Sequence, residues 1–364
     1  MALPPGDEGF AYSGSIVSAG DGLLHAFHTR HDPARGMQRQ AVSRSADGRV
    51  WSVPAQILGR AEPNWRDPFV WARADGWRML LARPGSWDTP TERAHLELWG
   101  SADLMAWQPL GTIGPFSPPG VLWEVPWVIE RADGTASLVV SMVDRRAGRA
   151  DSCVRYWPGR FDGANFERAH DEPLPLDLGP DFYAAIPAGG GADGGSILIG
   201  WLSNWQTARG FPCPGIAGGP ASLPRSLALV GAGAEARLVQ TTPPAIVAAF
   251  AAPTTAVPRA GLGLARLAPD FTLKISARDA ALTVQRRNGQ VRARREGSAM
   301  LAWSAESPTD GNEVALFVDG PAIEIFLGGQ TLSAALPDAG TAFRVELEGG
   351  AIDWRTLPSH HPAP

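Results

Sequence analysis

Two acidic residues occupy nearly the same place in two similar stretches of the sequence. Asp67 begins the run 67–76, and Glu124 directly precedes a similar run, 125–134, that follows 58 residues later. Two carboxyl groups held in one cleft can hydrolyse a glycosidic bond, because one protonates the leaving oxygen and another acts as nucleophile or activates water. Arg66, beside Asp67, can keep that carboxylate ionised or bind a substrate hydroxyl. The abundance of Trp, 14 residues, suits stacking on sugar faces as well as core packing.

Four hairpins with a similar pattern recur along the first two thirds of the chain. Three have Asp-Gly turns, at 21–22, 75–76 and 133–134, and the looser fourth, over 179–202, has Gly194-Gly195 before its second strand. A second repeat interleaves with them at 45–51, 101–107 and 161–166, where an Asp-containing turn precedes an aromatic residue. Two hairpins in each unit of about 55 to 60 residues are typical of a β-propeller blade. Blades are therefore predicted to start near 11, 65, 122 and 179.

The repeat predicts an all-β chain of two domains. Residues 1–241 are predicted to form a β-propeller of about four blades. Residues 242–269, rich in Pro and Ala, are predicted to be a linker or a crossing segment. Residues 270–364 show short alternating stretches with frequent turns and are predicted to form a C-terminal β-sandwich.

Propeller geometry brings equivalent positions of successive blades together, because the innermost strand of each blade lines a central funnel. If the first strand of each unit is innermost, Ser13, Asp67, Glu124 and Asp181 face one pocket. For either carboxylate alone, a structural role in a turn or at a solvated edge is the more ordinary interpretation. Their matching register in two repeats favours the catalytic one.

Composition excludes several classes of partner. The net charge of −5 offers no basic excess for nucleic acid, and the sequence has no apolar run long enough to span a membrane. The first residues have neither a basic n-region nor an apolar h-region, which predicts no signal peptide and a cytoplasmic location. Cys153 and Cys213 are the only cysteines, and they are predicted to be free thiols. The seven His are scattered, so neither a metal nor another cofactor is predicted.

Six ordered motifs resemble those of glycoside hydrolase family 32, the β-fructofuranosidases, and the resemblance covers nearly the whole chain. The motifs are Tyr12-Ser13-Gly14-Ser15, Trp65-Arg66-Asp67-Pro68, Trp123-Glu124-Val125-Pro126, Gly179-Pro180-Asp181-Phe182-Tyr183-Ala184-Ala185, Gly200-Trp201 and Leu223-Pro224-Arg225. The resemblance implies a five-bladed propeller followed by a β-sandwich. It also implies cleavage of β-fructosidic bonds, in sucrose or fructans, with retention of configuration.

The resemblance also implies roles for individual residues. Glu124 matches the general acid/base. Asp67 matches the aspartate that holds two fructose hydroxyls and stabilises the transition state, with Arg66 beside it. The candidate substrate-binding residues, taken from the same motifs, are Arg66, Ser13, Ser15, Tyr12, Trp65, Trp123, Asp181 and Tyr183.

The sequence departs from the family pattern at the nucleophile. The family's nucleophile belongs to an Asn-Asp-Pro motif in the first blade, and this sequence contains no Asn-Asp-Pro. The repeats independently give four blade starts where the family has five. Asp7 matches the lead-in to Tyr12-Ser13-Gly14-Ser15 rather than the nucleophile. The nucleophile is therefore expected from a second polypeptide or from a preceding segment, and Val125 stands where the family usually has Cys.

Three hypotheses of different class remain open at this stage. The first is a fructosidase whose nucleophile-bearing blade comes from a separate polypeptide, in a heteromer, or from a preceding segment. A homo-oligomer is the alternative assembly. The second is a non-catalytic protein that binds sucrose or fructan through Asp67 and Arg66. The third is a sialidase-like propeller, suggested by the Asp-containing turn at 45–51. It is the weakest, because it needs a Tyr nucleophile and the chain has three Tyr. The preferred fructoside and the balance of hydrolysis and fructosyl transfer are left open.

Overall fold

The computed structural model describes residues 3, 9–85, 91–146, 151–188, 196–206, 219–297, 303–309, 311–336 and 342–358, with only the backbone of Trp303 and Pro308. Asp7, Gly194-Gly195 and Cys213, about which the sequence made predictions, lie outside the described residues. The described residues are almost entirely strand and turn, which confirms the prediction of an all-β chain. Within these ranges the one α-helix, α1 (Pro244–Ala249), has six residues, and no helix is long and apolar enough to cross a bilayer.

Two four-stranded antiparallel sheets come first in the chain. The first sheet has the order β1-β2-β3-β4 and consists of β1 (Phe10–Ser18), β2 (Leu24–Asp32), β3 (Met37–Ser45) and β4 (Ala55–Gln56). The second has the order β5-β6-β7-β8 and consists of β5 (Arg66–Arg73), β6 (Gly76–Arg83), β7 (His95–Ser101) and β8 (Trp107–Ile113). Both sheets follow chain order, so each is built from consecutive hairpins.

Two further sheets repeat this pattern. The third has the order β12-β11-β10-β9 and consists of β9 (Val121–Glu130), β10 (Thr135–Asp144), β11 (Asp151–Phe161) and β12 (Phe166–Arg168), with β13 (Leu174–Pro175) also paired to β11. The fourth has the order β14-β15-β16-β17 and consists of β14 (Tyr183–Ala188), β15 (Ser196–Trp201), β16 (Arg225–Val230) and β17 (Arg237–Thr241). The predicted hairpins at 11–29, 65–83 and 122–143 are confirmed.

Each predicted turn repeat forms by the same local hydrogen bonding. Asp47 Oδ1 accepts the backbone N–H groups of Arg49 and Val50, at 2.8 and 3.0 Å. Asp103 and Asp162 accept two backbone N–H groups each in the equivalent turns. A short side-chain acceptor that caps its own turn explains why Asp recurs there.

Two larger sheets follow. One has the order β18-β28-β19-β24-β25-β26 and consists of β18 (Ala252–Thr254), β19 (Ala260–Arg266), β24 (Glu313–Asp319), β25 (Ala322–Leu327), β26 (Gln330–Ala335) and β28 (Ile352–Thr356). The other has the order β23-β22-β21-β20-β27 and consists of β20 (Phe271–Ala277), β21 (Ala280–Arg287), β22 (Gln290–Glu296), β23 (Trp303–Pro308) and β27 (Arg344–Glu348). One buried apolar cluster contains residues of both sheets, among them Leu273, Leu282, Leu316 and Ile325. The segment 242–269, predicted to be a linker, contains α1 and two strands of the six-stranded sheet.

The chain divides into two compact units. Unit 1 comprises Met1–Leu174, Ala184–Ser196 and Leu229–Leu238, and unit 2 comprises Pro175–Tyr183, Ile197–Ala228 and Val239–Pro364. In unit 1 the first and second sheets share an apolar cluster that includes Phe27, Val42, Val70 and Met79. This cluster fixes β5, which carries Asp67, against the first sheet.

Candidate active site

The first strands of three sheets share one unusual backbone feature. Asp67 in β5, Val125 in β9 and Ala184 in β14 have positive φ angles of 62°, 46° and 49°. A residue other than Gly rarely adopts this region, so the surrounding structure must impose it. The strand register shifts between Arg66 and Phe69, which marks a bulge, and β9 shifts at the equivalent place. A bulge redirects neighbouring side chains, and it does so here at the two predicted catalytic positions.

Hydrogen bonds join these first strands side by side in unit 1. Ser15 Oγ donates to the Pro68 carbonyl and accepts the Val70 N–H, both at 2.9 Å, linking β1 to β5. The Val125 N–H donates to Asp67 Oδ2 at 2.9 Å, linking β5 to β9. Trp127 Nε1 donates to the Ala185 carbonyl at 2.8 Å, linking β9 to β14. The first strands of the four sheets, β1, β5, β9 and β14, are therefore linked in chain order.

Arg66 and Glu124 form an ion pair at this junction. Arg66 Nη2 and Nε lie 2.8 and 3.2 Å from Glu124 Oε1. The Arg66 side chain is buried, and the Glu124 side chain keeps 13% of its surface exposed. The two residues occupy equivalent repeat positions, which is why a 58-residue spacing brings them into contact. Glu124 is thus held by a charged donor and still reaches solvent.

Asp67 lies next to this pair and is 5% exposed. Burial, together with the negative charge of Glu124, raises the pKa of Asp67 to about 6, against the opposing effects of Arg66 and the Val125 N–H. A carboxyl group with a pKa in this range can exchange a proton near neutral pH. Such shifts are common where acid–base chemistry takes place.

Two of the predicted substrate-binding residues, Trp65 and Trp123, lie in the core. Trp65 and Trp123 are fully buried, and their indole N–H groups donate to Glu97 Oε2 and Ser117 Oγ, both at 3.0 Å. Neither ring has an exposed surface on which a sugar could stack, so both residues pack in the core next to the catalytic positions.

The candidate residues of β1 are more accessible. Ser13 is exposed, and Tyr12 is largely exposed, with its ring stacked on His31 at a centroid distance of 4.8 Å. Ser15 is engaged in the link to β5. Tyr12 and Ser13 thus remain available to a ligand.

Asp181 and Tyr183 belong to unit 2. Asp181 is buried, pairs with Arg295, accepts the Ala335 N–H at 2.8 Å and accepts a hydrogen bond from the Asn204 amide. Tyr183 is buried and contacts the rings of Trp201 and Trp205 edge-on, with centroids 6.3 Å apart. Their predicted contact with substrate stays a prediction.

Three buried polar side chains that the sequence motifs did not indicate contact the segment around Asp67. Thr29, Gln38 and Gln40 each bind the backbone of 65–67. Their signal was available, since Gln38 and Gln40 alternate in β3 at positions where an apolar side chain is the usual choice.

A cavity of about 620 Å³ lies further along the same strands of unit 1. Its walls include Ile16, Trp71, Arg73, Glu130 and Phe161 but neither Asp67 nor Glu124. Trp71 is four residues beyond Asp67, about 13 Å along a strand. The carboxylates, rather than cavity size, therefore mark the candidate site. Among the described residues no group of three or more His, Cys, Asp or Glu is placed to hold a metal ion.

The junction of β5 and β9 thus holds an arginine, a glutamate that is 13% exposed and a buried aspartate. A pair of carboxyl groups is what glycoside hydrolysis uses. Residues 1–242 match the sequence profile of the glycosyl hydrolases family 32 N-terminal domain. The chain belongs to that family, and the resemblance drawn from its motifs is confirmed.

Individual relatives agree with this assignment. An extracellular exo-inulinase of Aspergillus awamori is 29% identical over 227 residues, which are 56% of this chain and 41% of that protein. A levanase of Bacillus subtilis (strain 168) is 29% identical over 270 residues, 66% of this chain and 38% of that protein. The matched part thus spans about two fifths of these relatives. The crystal structure of the A. awamori exo-inulinase superposes with a TM-score of 0.77 at 21% identity, covering 96% of this chain and 84% of that one, and it shares the fold.

Proposed function

We propose that the protein is a retaining glycoside hydrolase that acts on β-fructosides, sucrose or fructo-oligosaccharides. The observation that carries the proposal is the cluster of Arg66, Glu124 and Asp67 at the junction of β5 and β9, in a chain of this family. The names of its relatives, exo-inulinase and levanase, support a fructan or a related fructoside as substrate.

In the proposed mechanism Glu124 is the general acid/base. Its partly exposed carboxyl group can give a proton to the glycosidic oxygen as the bond to the fructosyl carbon breaks, and later take one from the attacking water. Asp67 accepts hydrogen bonds from fructosyl hydroxyls, and its negative charge stabilises the oxocarbenium-like transition state. Arg66 orients the Glu124 carboxyl group through its contacts with Oε1.

The nucleophile is proposed to come from outside this sequence, since the sequence has no Asn-Asp-Pro motif. A second polypeptide or a preceding segment would supply it about 5 Å from Glu124. Three exposed apolar side chains on β1, Phe10, Tyr12 and Ile16, support a partner there, because such groups seldom face water together. The four described sheets of 10–241 would then be blades of a five-bladed propeller, and the two larger sheets a β-sandwich.

The missing motif also favours a second candidate function, a sucrose- or fructan-binding protein without hydrolysis. Asp67 and Arg66 would serve recognition, and Glu124 would serve mainly to fix Arg66. The cytoplasmic location stays a prediction, and the relative from A. awamori is named as extracellular.

The test is fructose release from sucrose, inulin and levan by the protein isolated from its source with any partner, alongside the recombinant chain. Release by either preparation supports the hydrolase. Binding of fructose or sucrose in calorimetry, without release by either preparation, supports the binding protein. Neither binding nor release would overturn both. Native mass analysis of the same sample shows whether a second chain or a second copy is present.

A further inference from the structure

The bulge that carries Arg66 and Asp67 is held by side chains from the neighbouring sheet. The Asp67 N–H donates to Thr29 Oγ1 at 3.0 Å. Gln40 Nε2 donates to the Trp65 carbonyl at 2.7 Å, and the Trp65 N–H donates to Gln38 Oε1 at 2.7 Å. The bulge interrupts the ladder between β5 and β6 after Arg66, so Thr29 accepts the Asp67 N–H there, while Gln38 and Gln40 bind the backbone of Trp65 just before the strand.

The three holding residues sit on one face of the first sheet. Thr29 and Gln40 are direct cross-strand partners, joined by a hydrogen bond of 2.8 Å from Thr29 Oγ1 to Gln40 Oε1. Gln38 lies two residues before Gln40, on the same side of β3. Phe27 and Val42 continue this face as part of the apolar cluster. On this face of the first sheet, apolar side chains pack in the core, and polar side chains that hydrogen-bond residues 65–67 replace them next to the candidate site.

The direction of each hydrogen bond in this network is determined. The Trp65 carbonyl can only accept, so the Gln40 amide must present its NH₂ group there and its oxygen to Thr29. The single proton of Thr29 then goes to Gln40, and its lone pair is left for the Asp67 N–H. Thr29, Gln38 and Gln40 are all buried, so no solvent alternative competes with these bonds.

We propose that Thr29, Gln38 and Gln40 are positioning residues that hold the positive-φ backbone at Asp67 and so aim Asp67 and Arg66 at the fructosyl unit. This inference rests on the proposed function of Asp67. The hydrogen bonds of the network go to the backbone of residues 65 and 67, so its effect on substrate passes through that segment.

The test compares Thr29→Val, which keeps the shape and removes both hydrogen bonds, with Thr29→Ser, which keeps the hydroxyl. Tyr156→Phe is the matched control, because it removes another buried hydroxyl of unit 1, one that accepts the Leu238 N–H at 3.4 Å. Calorimetry with sucrose and fructose, using the full chain with any partner, should show binding weakened at least tenfold in Thr29→Val. Thr29→Ser and Tyr156→Phe should stay within about threefold of the parent.

A second measurement separates this inference from the proposed function. If the parent protein binds no fructoside, the proposed function fails, and the midpoint of the Asp67 carboxyl titration by NMR decides the inference instead. Thr29→Val should move that midpoint, while Thr29→Ser and Tyr156→Phe should leave it in place. Equal behaviour of all three variants in both measurements would overturn the positioning role. If Thr29→Val does not fold, Gln38→Met, which removes only the acceptor of the Trp65 N–H, replaces it with the same expected ranking.

Discussion

Each unit contains a cluster of one arginine and two carboxyl groups, and the two clusters are connected differently. In unit 1, Arg66 contacts Glu124, while Asp67 beside it accepts the Val125 N–H. In unit 2, Arg225 contacts both of its carboxylates directly, Asp177 at 2.8 Å and Glu324 at 2.7 Å. Both clusters consist of one Arg, one Asp and one Glu. Any difference in role must therefore come from which groups contact each other and from how deeply they are buried.

The unit 2 cluster is closed on every side. Arg225 is fully buried, donates as well to Gln240, Thr331 and Ser333, and lies over the Phe182 ring at 4.0 Å. Burial raises the pKa of Glu324, and the Arg225 charge opposes that effect. Arg225 neutralises both carboxylates in a region without access to water, so we interpret this cluster as stabilising the fold.

In the unit 1 cluster, burial and the charge of Glu124 together raise the pKa of Asp67. Burial raises the pKa of both Asp67 and Glu324. For Asp67 the charge of Glu124, which raises the pKa further, outweighs that of Arg66, whereas for Glu324 the charge of Arg225, which lowers the pKa, outweighs that of Asp177. Glu124 also keeps part of its surface open. Asp67 can therefore exchange a proton near neutral pH, next to a carboxyl group that reaches solvent.

The largest effect is expected for Glu124→Gln. Fructose release from sucrose by the active preparation should fall by about 10²–10⁴-fold, because the amide cannot transfer the proton. The melting temperature should change little. Glu130→Gln, at the end of the same strand and outside the site, is the control and should keep its activity. Full activity in Glu124→Gln would remove Glu124 from the proposed mechanism.

Arg225→Met should have the next largest effect, on stability. Removing the arginine leaves two buried carboxylates without their cation, which costs about 3–5 kcal/mol in the free energy of unfolding. Arg66→Met should cost less, because Glu124 can turn to solvent, and should instead weaken sucrose binding. Denaturant unfolding and calorimetry on both variants measure the two effects. If Arg66→Met is the more destabilising of the pair, the contrast between the clusters is wrong.

Asp67→Asn should make stability less dependent on pH. The folded-state pKa of Asp67, about 6, lies above its ordinary value of 3.8, so the folded state binds more protons than the unfolded state between these pH values. The parent therefore loses stability as pH rises from about 4 to about 6, by about 1–3 kcal/mol. Asn stays neutral and avoids that loss.

The Asp67→Asn variant should consequently melt a few degrees above the parent at pH 7 and match it below pH 4, while binding sucrose poorly. Thermal melts across pH 3.5–8 measure the effect. A constant difference at every pH would mean that Asp67 does not titrate as described.

The contrast between the clusters also shows what the sequence could predict. Asp-Gly turns and repeated spacing located the hairpins, and the matching positions of Asp67 and Glu124 pointed to their junction. The ion pair that Arg66 forms with Glu124 there, at 2.8 Å, was not predicted. Arg225 was visible as part of a motif, but its hydrogen-bond partners lie 15 to 108 residues away along the chain. No local pattern specifies such partners, because they depend on how the strands of unit 2 pack.

Burial was equally hard to foresee. Trp65 and Trp123 suit sugar stacking and core packing alike, and only the packed structure shows them covered, with their N–H groups satisfied. The roles of Thr29 and Gln40 depend on a bulge in another sheet, which the repeat did not predict. The positions of strands can be predicted from residue types along the chain. The partner of a buried polar group depends on how strands distant in sequence pack together.

The smallest effect is expected for a third arginine–glutamate pair, Arg266 and Glu313 of unit 2. Their side chains are 76% and 75% exposed, and Arg266 Nη2 lies 2.9 Å from Glu313 Oε1. This distance nearly equals those of Arg66–Glu124 and Arg225–Glu324, at 2.8 and 2.7 Å. Arg266→Ala should nevertheless change the free energy of unfolding by less than about 0.5 kcal/mol, because water and salt screen an exposed pair. Denaturant unfolding measures the change, and a loss comparable to that of Arg225→Met would show that contact distance, rather than burial and connection, governs what these pairs contribute.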